Sequence, residues 1–206
     1  GAELAGIAVV IGGGNVAMDV ARTALRAGAE EAQLFCLEPR DAMPAWEHEV
    51  REAIAEGVVL NPSWGPMRIL HDDGKVTGVE FARCVSVFDE DGRFSPEYDR
   101  RTTRTVRADA VLVSVGLTVD DPELASQGVI SGGLVKAAFS TMRTPDPKVF
   151  AAGDGAFGPS AIVYAMHHGH RAAHYIKAFL DGQDSPAPYR VPYRTAGVPV
   201  ADDPEW

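Results

Sequence analysis

Cysteine is nearly absent: the 206 residues hold two, Cys36 and Cys84, far apart in sequence. Two lone cysteines build no disulfide framework and suit a reducing compartment, so a cytoplasmic location is expected. There is no CxxC pair, which excludes a thioredoxin-type dithiol. Two cysteines also fall short of the four that a cubane iron–sulfur cluster usually takes. If electrons pass through this chain, an organic cofactor must carry them. Long apolar runs are missing too. No stretch approaches the roughly 18 consecutive apolar residues of a spanning helix, and Gly1 to Gly6 lack the basic segment of a secretory signal, so neither is expected. Basic residues are scarce: 19 Lys and Arg face 29 Asp and Glu, a net charge of −10. An acidic chain without a basic cluster is a poor partner for nucleic acid or an anionic membrane. There is no GxSxG elbow, P-loop or HExxH, so no catalytic side chain and no metal ligand is singled out.

What is present is globular in proportion. Apolar residues make up 46% and charged residues 23%, which excludes a disordered or fibrous chain. The length suits one or two domains. Ile7 to Ile11 is a short continuous apolar run that reads as a buried parallel strand. Helical periodicity follows from Asn15 to Ala27, with Val16, Val20, Thr23, Ala24 and Ala27 on one stripe and Gly28 as its cap. Gln33 to Leu37 is a second buried strand, which completes a βαβ unit. Pro44 is expected to open a helix to Glu56, and Val58 to Leu60 to form a third strand. From Arg68 to Val106 the pattern turns antiparallel, with hairpin turns at Asp73-Gly74 and Asp91-Gly92. Val79, Phe81, Cys84, Val85 and Phe88 are its candidate core. Glu97 to Arg107 reads as a solvated hairpin edge. Asp109 to Val115 is another buried strand, ended by Gly116. Residues 120–142 show little pattern. Val149 to Ala152 reads as a strand ended by Gly153-Asp154-Gly155, and a helix is expected from Ala161 to Leu180. The proline-rich last 24 residues read as an extended tail.

The chemistry sits at the first turn. Gly12-x-Gly14-x-x-Ala17 follows a strand and opens a helix, the context a dinucleotide fingerprint needs. Gly12 permits the tight turn, Gly14 lets backbone approach a pyrophosphate, and Ala17 lets helix and strand pack closely. Free N–H groups at the helix start, including those of Gly13, Asn15 and Val16, then face the phosphates. A functionless glycine-rich turn and a methyltransferase-type nucleotide site remain open alternatives. The end of the second strand reads Leu37-Glu38-Pro39-Arg40. Glu38 would accept from ribose hydroxyls and repel a 2′-phosphate, which favours NAD; Arg40 would favour NADP. His167, His170 and His174 share a helix face, but surface histidines are commoner than a metal site there. Cys36 reads as a small core residue, and Met43, Trp46 and Trp64 as packing residues.

Four stretches in order carry a family resemblance: Val9 to Asp19 with Arg22; Met43-Pro44-Ala45 with Glu49-Val50, Ala53 and Glu56-Gly57-Val58; Asp109 to Gly116; and Asp146 to Asp154. Over residues 7–182 the chain resembles the nicotinamide domain and trailing FAD domain of the glutamate synthase small (β) subunit. The likeness extends to that subunit's relatives among FAD-dependent pyridine nucleotide oxidoreductases. The resemblance implies an α/β fold: a Rossmann-like three-layer NAD(P)-binding domain at 1–118 with an antiparallel insertion. A C-terminal part of an FAD-binding domain at 119–182 and the tail at 183–206 would follow. It implies that Gly153 and Asp154 meet the FAD ribityl chain, and that Ala161, Ile162 and Val163 lie by the flavin's pyrimidine end. It also implies that rotation between Gly116 and a hinge near Gly6 gates ring contact. In the family a first FAD strand precedes these segments, so a fragment, a separate domain or a split subunit is expected. The arginines that follow the second strand in NADPH-type members are Leu37 and Glu38 here. The expected function is hydride passage from NAD(P)H to FAD, with electrons leaving to an iron–sulfur protein or segment. The alternative is a nicotinamide nucleotide-binding or docking module without catalysis.

Overall fold

A computed structural model describes residues 4–191. The chain divides into two compact units, the first ending at Gly116 and the second starting at Leu117.

The first unit is built on the expected βαβ start. Strand β1 (Ile7–Ile11) leads through the glycine turn into helix α1 (Asn15–Arg26), and strand β2 (Glu31–Cys36) returns parallel to β1. Helix α2 (Glu47–Ala55) and strand β3 (Val59–Pro62) repeat the unit. Strand β7 (Ala110–Val113) closes a four-stranded parallel sheet in the order β3-β2-β1-β7. Between β3 and β7 runs an antiparallel sheet of β4 (Trp64–Asp72), β5 (Lys75–Phe88) and β6 (Phe94–Arg107).

Alternation along the strands makes three layers. Val10, Leu34 and Cys36 point to one face and pack on Ala17, Met18 and Ala21 of α1 and Val50 and Ala53 of α2. Val9, Ile11 and Phe35 point to the other face and pack on Val79, Phe81 and Val106 of the antiparallel sheet. There the Phe35 and Phe81 rings stack with centroids 3.9 Å apart. Successive side chains of a buried strand must leave on opposite faces, so a continuous apolar run requires cover on both.

The buried stripe of α1 is Ala17, Met18, Ala21 and Ala24 rather than the expected Val16 stripe. Val16 is 65% exposed beside the glycine turn. Three of the four stripe residues are alanine, which lets the helix pack close to the sheet. Helix α2 starts at Glu47, three residues after Pro44, because the N–H groups of Ala45 and Trp46 bond across to the glycine turn. Val85 and Phe88 are exposed, unlike Val79, Phe81 and Cys84, because bulges after Ala82 and Cys84 break the alternation.

Arg22 of α1 ties the two helices together through Glu49, Glu52 and Glu56 of and beyond α2. The Arg22 hydrogen bond holds the Glu56 carboxyl below the usual range, helped by Arg26. A carboxyl with a lowered native pKa stabilises the fold above its ordinary pKa and loses that contribution as pH falls through the native value. Below pH 4.5, the ordinary value, acid unfolding is therefore expected to be less steep in Glu56→Gln than in wild type. Circular dichroism along a pH titration measures it, and identical profiles would contradict it.

In the second unit, helix α3 (Pro122–Ser126) and the hairpin of β8 (Ile130–Ser131) and β9 (Leu134–Val135) occupy the stretch that shows no sequence pattern. The expected strand Val149 to Ala152 forms only a bridge between Phe150 and Arg143. No parallel neighbour pairs with it among the described residues. Helix α4 (Asp154–Phe157) follows, then α5 (Ile162–Leu180). Met142, Ala172 and Tyr175 form this unit's core with Phe150, Phe157 and Tyr189 around them. His168 is buried among Phe139 and Phe157. Of the expected tail at 183–206, residues 192–206 lie outside the described residues.

Candidate functional site

The glycine turn lies at the C-terminal edge of the parallel sheet, where open α/β sheets bind ligands. Gly12 donates its N–H to the Phe35 carbonyl of β2 at 2.9 Å and has φ of +146°. A Cβ there would lie 2.2 Å from the Ser114 carbonyl oxygen. At Gly14, the N-cap of α1, a Cβ would meet nothing within 4 Å. Gly14 carries no side-chain cap, so the positive end of α1 faces open space. That is the shape and polarity a pyrophosphate needs, and these residues fit a dinucleotide. Ala17 is fully buried and accepts the close helix–strand contact.

Glu38 follows β2 by two residues and reaches back to the turn. Its Oε2 would lie 2.8 Å from a Cβ on Gly13. The structure therefore brings Glu38 to the glycine turn. Arg40 is engaged elsewhere, with one guanidinium nitrogen 2.9 Å from each carboxylate oxygen of Glu47. The Asn15 side chain is also committed: its Oδ1 accepts the Trp46 N–H at 2.8 Å. Gly116 follows β7, next to the Ser114 backbone that crosses Gly12.

Cys36 is buried, and burial first, then the nearby Glu38 carboxylate, pushes its thiol up to about 12. Burial and Glu38 also raise the Cys84 thiol. Thiols held protonated are poor nucleophiles. The native chain is thus expected to resist iodoacetamide at neutral pH and to take up two equivalents per chain when unfolded. Rapid labelling of the native chain would contradict this.

In the second unit, Gly153 caps α4 with φ of +69°, and Asp154 opens it. Asp154 Oδ1 accepts from the Ser160 hydroxyl at 3.3 Å, which brings the Asp154 carboxylate to the segment preceding Ala161. Ala161 caps α5 without a side-chain bond, and Ile162 and Val163 are 79% and 68% exposed. An uncapped helix start with bare aliphatic side chains and one adjacent carboxylate fits part of a flavin nucleotide. It offers apolar contact, backbone donors and one acceptor for hydroxyl groups.

Two residues depart from the roles expected of them. Trp46 is 60% exposed and, among the described residues, stacks only on His48. Arg104, in the expected solvated edge, donates to Asn61 at 2.7 Å and lies over the Phe35 ring.

The sequence pattern that defines the pyridine nucleotide-disulphide oxidoreductases matches residues 3–169. The chain is 36% identical over 188 residues to the NADP(+)-dependent formate dehydrogenase subunit beta of Moorella thermoacetica, covering 87% of this chain and 26% of that protein. It is 33% identical over 183 residues to the glutamate synthase [NADPH] small chain of Escherichia coli K12, covering 84% and 38% respectively. It thus spans about a quarter to two-fifths of the length of these relatives. The thioredoxin reductase of Lactococcus lactis shares the fold, with a TM-score of 0.70 at 22% identity over 85% of this chain and 53% of that one. No described helix is long and apolar enough to cross a membrane.

Proposed function

The chain belongs to the pyridine nucleotide-disulphide oxidoreductase family, and from that premise we propose that it is part of a flavin-dependent NAD(P)H oxidoreductase of the glutamate synthase small-subunit type. Residues 1–118 serve as the nicotinamide nucleotide domain, and residues 119–182 as the C-terminal part of the FAD domain. Residues Gly12, Gly13, Gly14, Asn15, Val16 and Ala17 hold the pyrophosphate, with Gly116 bordering the site. Gly153, Asp154, Ala161, Ile162 and Val163 hold part of the flavin nucleotide. The observation that carries this reading is the open, uncapped α1 start at Gly14, beneath a turn that only glycine can make.

When bound, the two cofactors supply hydride donation and acceptance, which needs no protein acid or base. The chain's own residues bind and orient: backbone N–H groups fix the phosphates, and the buried Ala17 contact fixes the turn. An iron–sulfur acceptor would have to lie outside these residues, since two buried cysteines cannot hold a cluster. Two free thiols are also consistent with a cytoplasmic site of action.

The names of the relatives carry NADP(+) or NADPH, whereas the glutamate at the turn argues for NAD(H). We assign NAD(H) as the preferred nucleotide, since Glu38 sits at the turn and Arg40 is held by Glu47. Thermal unfolding tests the site. At NADH a hundredfold above Kd, stabilisation by about 2.7 kcal/mol is expected. With FAD bound, anaerobic NADH is expected to bleach the visible flavin absorbance. Stabilisation without any flavin uptake would favour a nucleotide-binding module. Stabilisation by S-adenosylmethionine alone would overturn the proposal.

A further inference from the structure

The connection from β2 to α2 is pinned to the glycine turn at successive points. The Ala45 N–H donates to the Gly13 carbonyl at 3.0 Å, and the Trp46 N–H donates to Asn15 Oδ1 at 2.8 Å. Pro44 Cδ would lie 3.3 Å from a Cβ on Gly13. The backbone of Trp46 is thereby fixed beside the phosphate turn, while its indole is 60% exposed. The indole is also oriented, stacked on His48 with centroids 5.5 Å apart and planes 29° apart.

In a fold of this kind the nucleotide crosses the sheet edge, with its pyrophosphate at α1 and its adenosine ribose at an acidic residue just past the end of β2. That residue is Glu38. The adenosine therefore lies on the side of the connection that ends at Trp46. Charge gives little hold on that side. Arg40 is paired with Glu47, and Glu47 and Glu49 make the α2 start acidic. Adenine is neutral and presents a flat π face, so stacking on an aromatic ring suits such a site. We propose that Trp46 binds the adenosine half of the nucleotide, its indole stacking on the adenine. This rests on the nucleotide reading of the glycine turn and adds a residue that the fingerprint does not include.

ADP-ribose and nicotinamide mononucleotide divide the ligand and so test the assignment. The full chain has three tryptophans, so the fluorescence of wild type and Trp46→Phe is compared. ADP-ribose is expected to quench wild type and nicotinamide mononucleotide to leave it unchanged. In Trp46→Phe the quench disappears while ADP-ribose affinity by calorimetry stays within about twofold. In Trp46→Ala affinity falls about tenfold, the lower part of the range for one stacked base, with the melting temperature of the free chain unchanged. Undiminished ADP-ribose affinity in Trp46→Ala would overturn the stacking role and leave the nucleotide site standing. Quenching by nicotinamide mononucleotide instead of ADP-ribose would overturn the adenosine assignment. Failure of wild type to bind ADP-ribose, NADH and NADPH would overturn the nucleotide reading itself.

Discussion

Gly12→Ala is expected to cost the first unit about 3 kcal/mol or more, a large share of an ordinary domain's roughly 5–15 kcal/mol. The Cβ would lie 2.2 Å from the Ser114 carbonyl oxygen and 3.3 Å from the Ala17 Cβ, and φ of +146° is itself unsuited to alanine. Relief requires moving backbone, because the obstructing atom belongs to the segment leaving β7. That segment is held by the Ser114 N–H bond to the Ile11 carbonyl at 2.8 Å. Movement there would pull on β1 and β7 together. Gly14→Ala should behave oppositely. Its φ of −90° is ordinary, and a Cβ meets nothing within 4 Å. The free chain should melt as wild type does, while the methyl group stands in the space assigned to the pyrophosphate and weakens NADH binding at least tenfold. Calorimetric unfolding and nucleotide titration of the two variants separate these roles. Equal destabilisation by both substitutions would show that the turn is a structural feature only. Unchanged NADH affinity in Gly14→Ala would remove the phosphate from this position.

The parallel half of the fold was legible because its signal is local and redundant. Continuous apolar runs at Ile7–Ile11 and Gln33–Leu37 need two covered faces, and a glycine turn followed by helical spacing needs a βαβ crossover. Val149 to Ala152 is likewise apolar and yet forms only the Phe150–Arg143 bridge. An apolar run states that a segment can be buried, but not that a neighbour is there to pair with it. Helix α3 leaves no periodic signal although Asp121 caps it through the Glu123 and Leu124 N–H groups and Pro122 opens it. Five residues are too few for a period to register. Along β5, alternation fails after Ala82 because bulges are set by the partner strand, as the exposure of Val85 and Phe88 shows. The candidate site divides in the same way. Gly12, Gly14 and Ala17 are fixed by local backbone geometry and could be read directly. The commitment of Arg40 to Glu47 and of Asn15 to Trp46 depends on contacts 7 and 31 residues away in sequence, which no local pattern carries.

Glu38→Arg should reverse the choice of nucleotide, with NADH affinity falling and NADPH affinity rising by about tenfold each. The wild-type carboxylate lies where a Cβ on Gly13 would approach it to 2.8 Å, at the ribose side of the phosphate turn. In the proposed site it would accept from the vicinal hydroxyls, and a hydrogen bond to a charged group contributes about 1.5–3 kcal/mol. A 2′-phosphate placed at the same point would meet a like charge. The one nearby arginine in the connection offers no relief, since both oxygens of Glu47 already hold it. Arginine at position 38 replaces repulsion with a charge-assisted bond to that phosphate. Glu38→Ala separates the two contributions: it loses the ribose bond, so NADH weakens, and it removes the repulsion without adding attraction, so NADPH gains less than with arginine. The thiols provide an internal control on where the carboxylate sits. Glu38 helps raise both Cys36 and Cys84, so Glu38→Ala should lower the pH at which each thiol reacts, with burial still holding Cys36 well above the ordinary cysteine range. Should wild type bind NADPH more tightly than NADH while Glu38→Ala still lowers the thiol pKa values, the carboxylate would be placed correctly but assigned the wrong ligand atom.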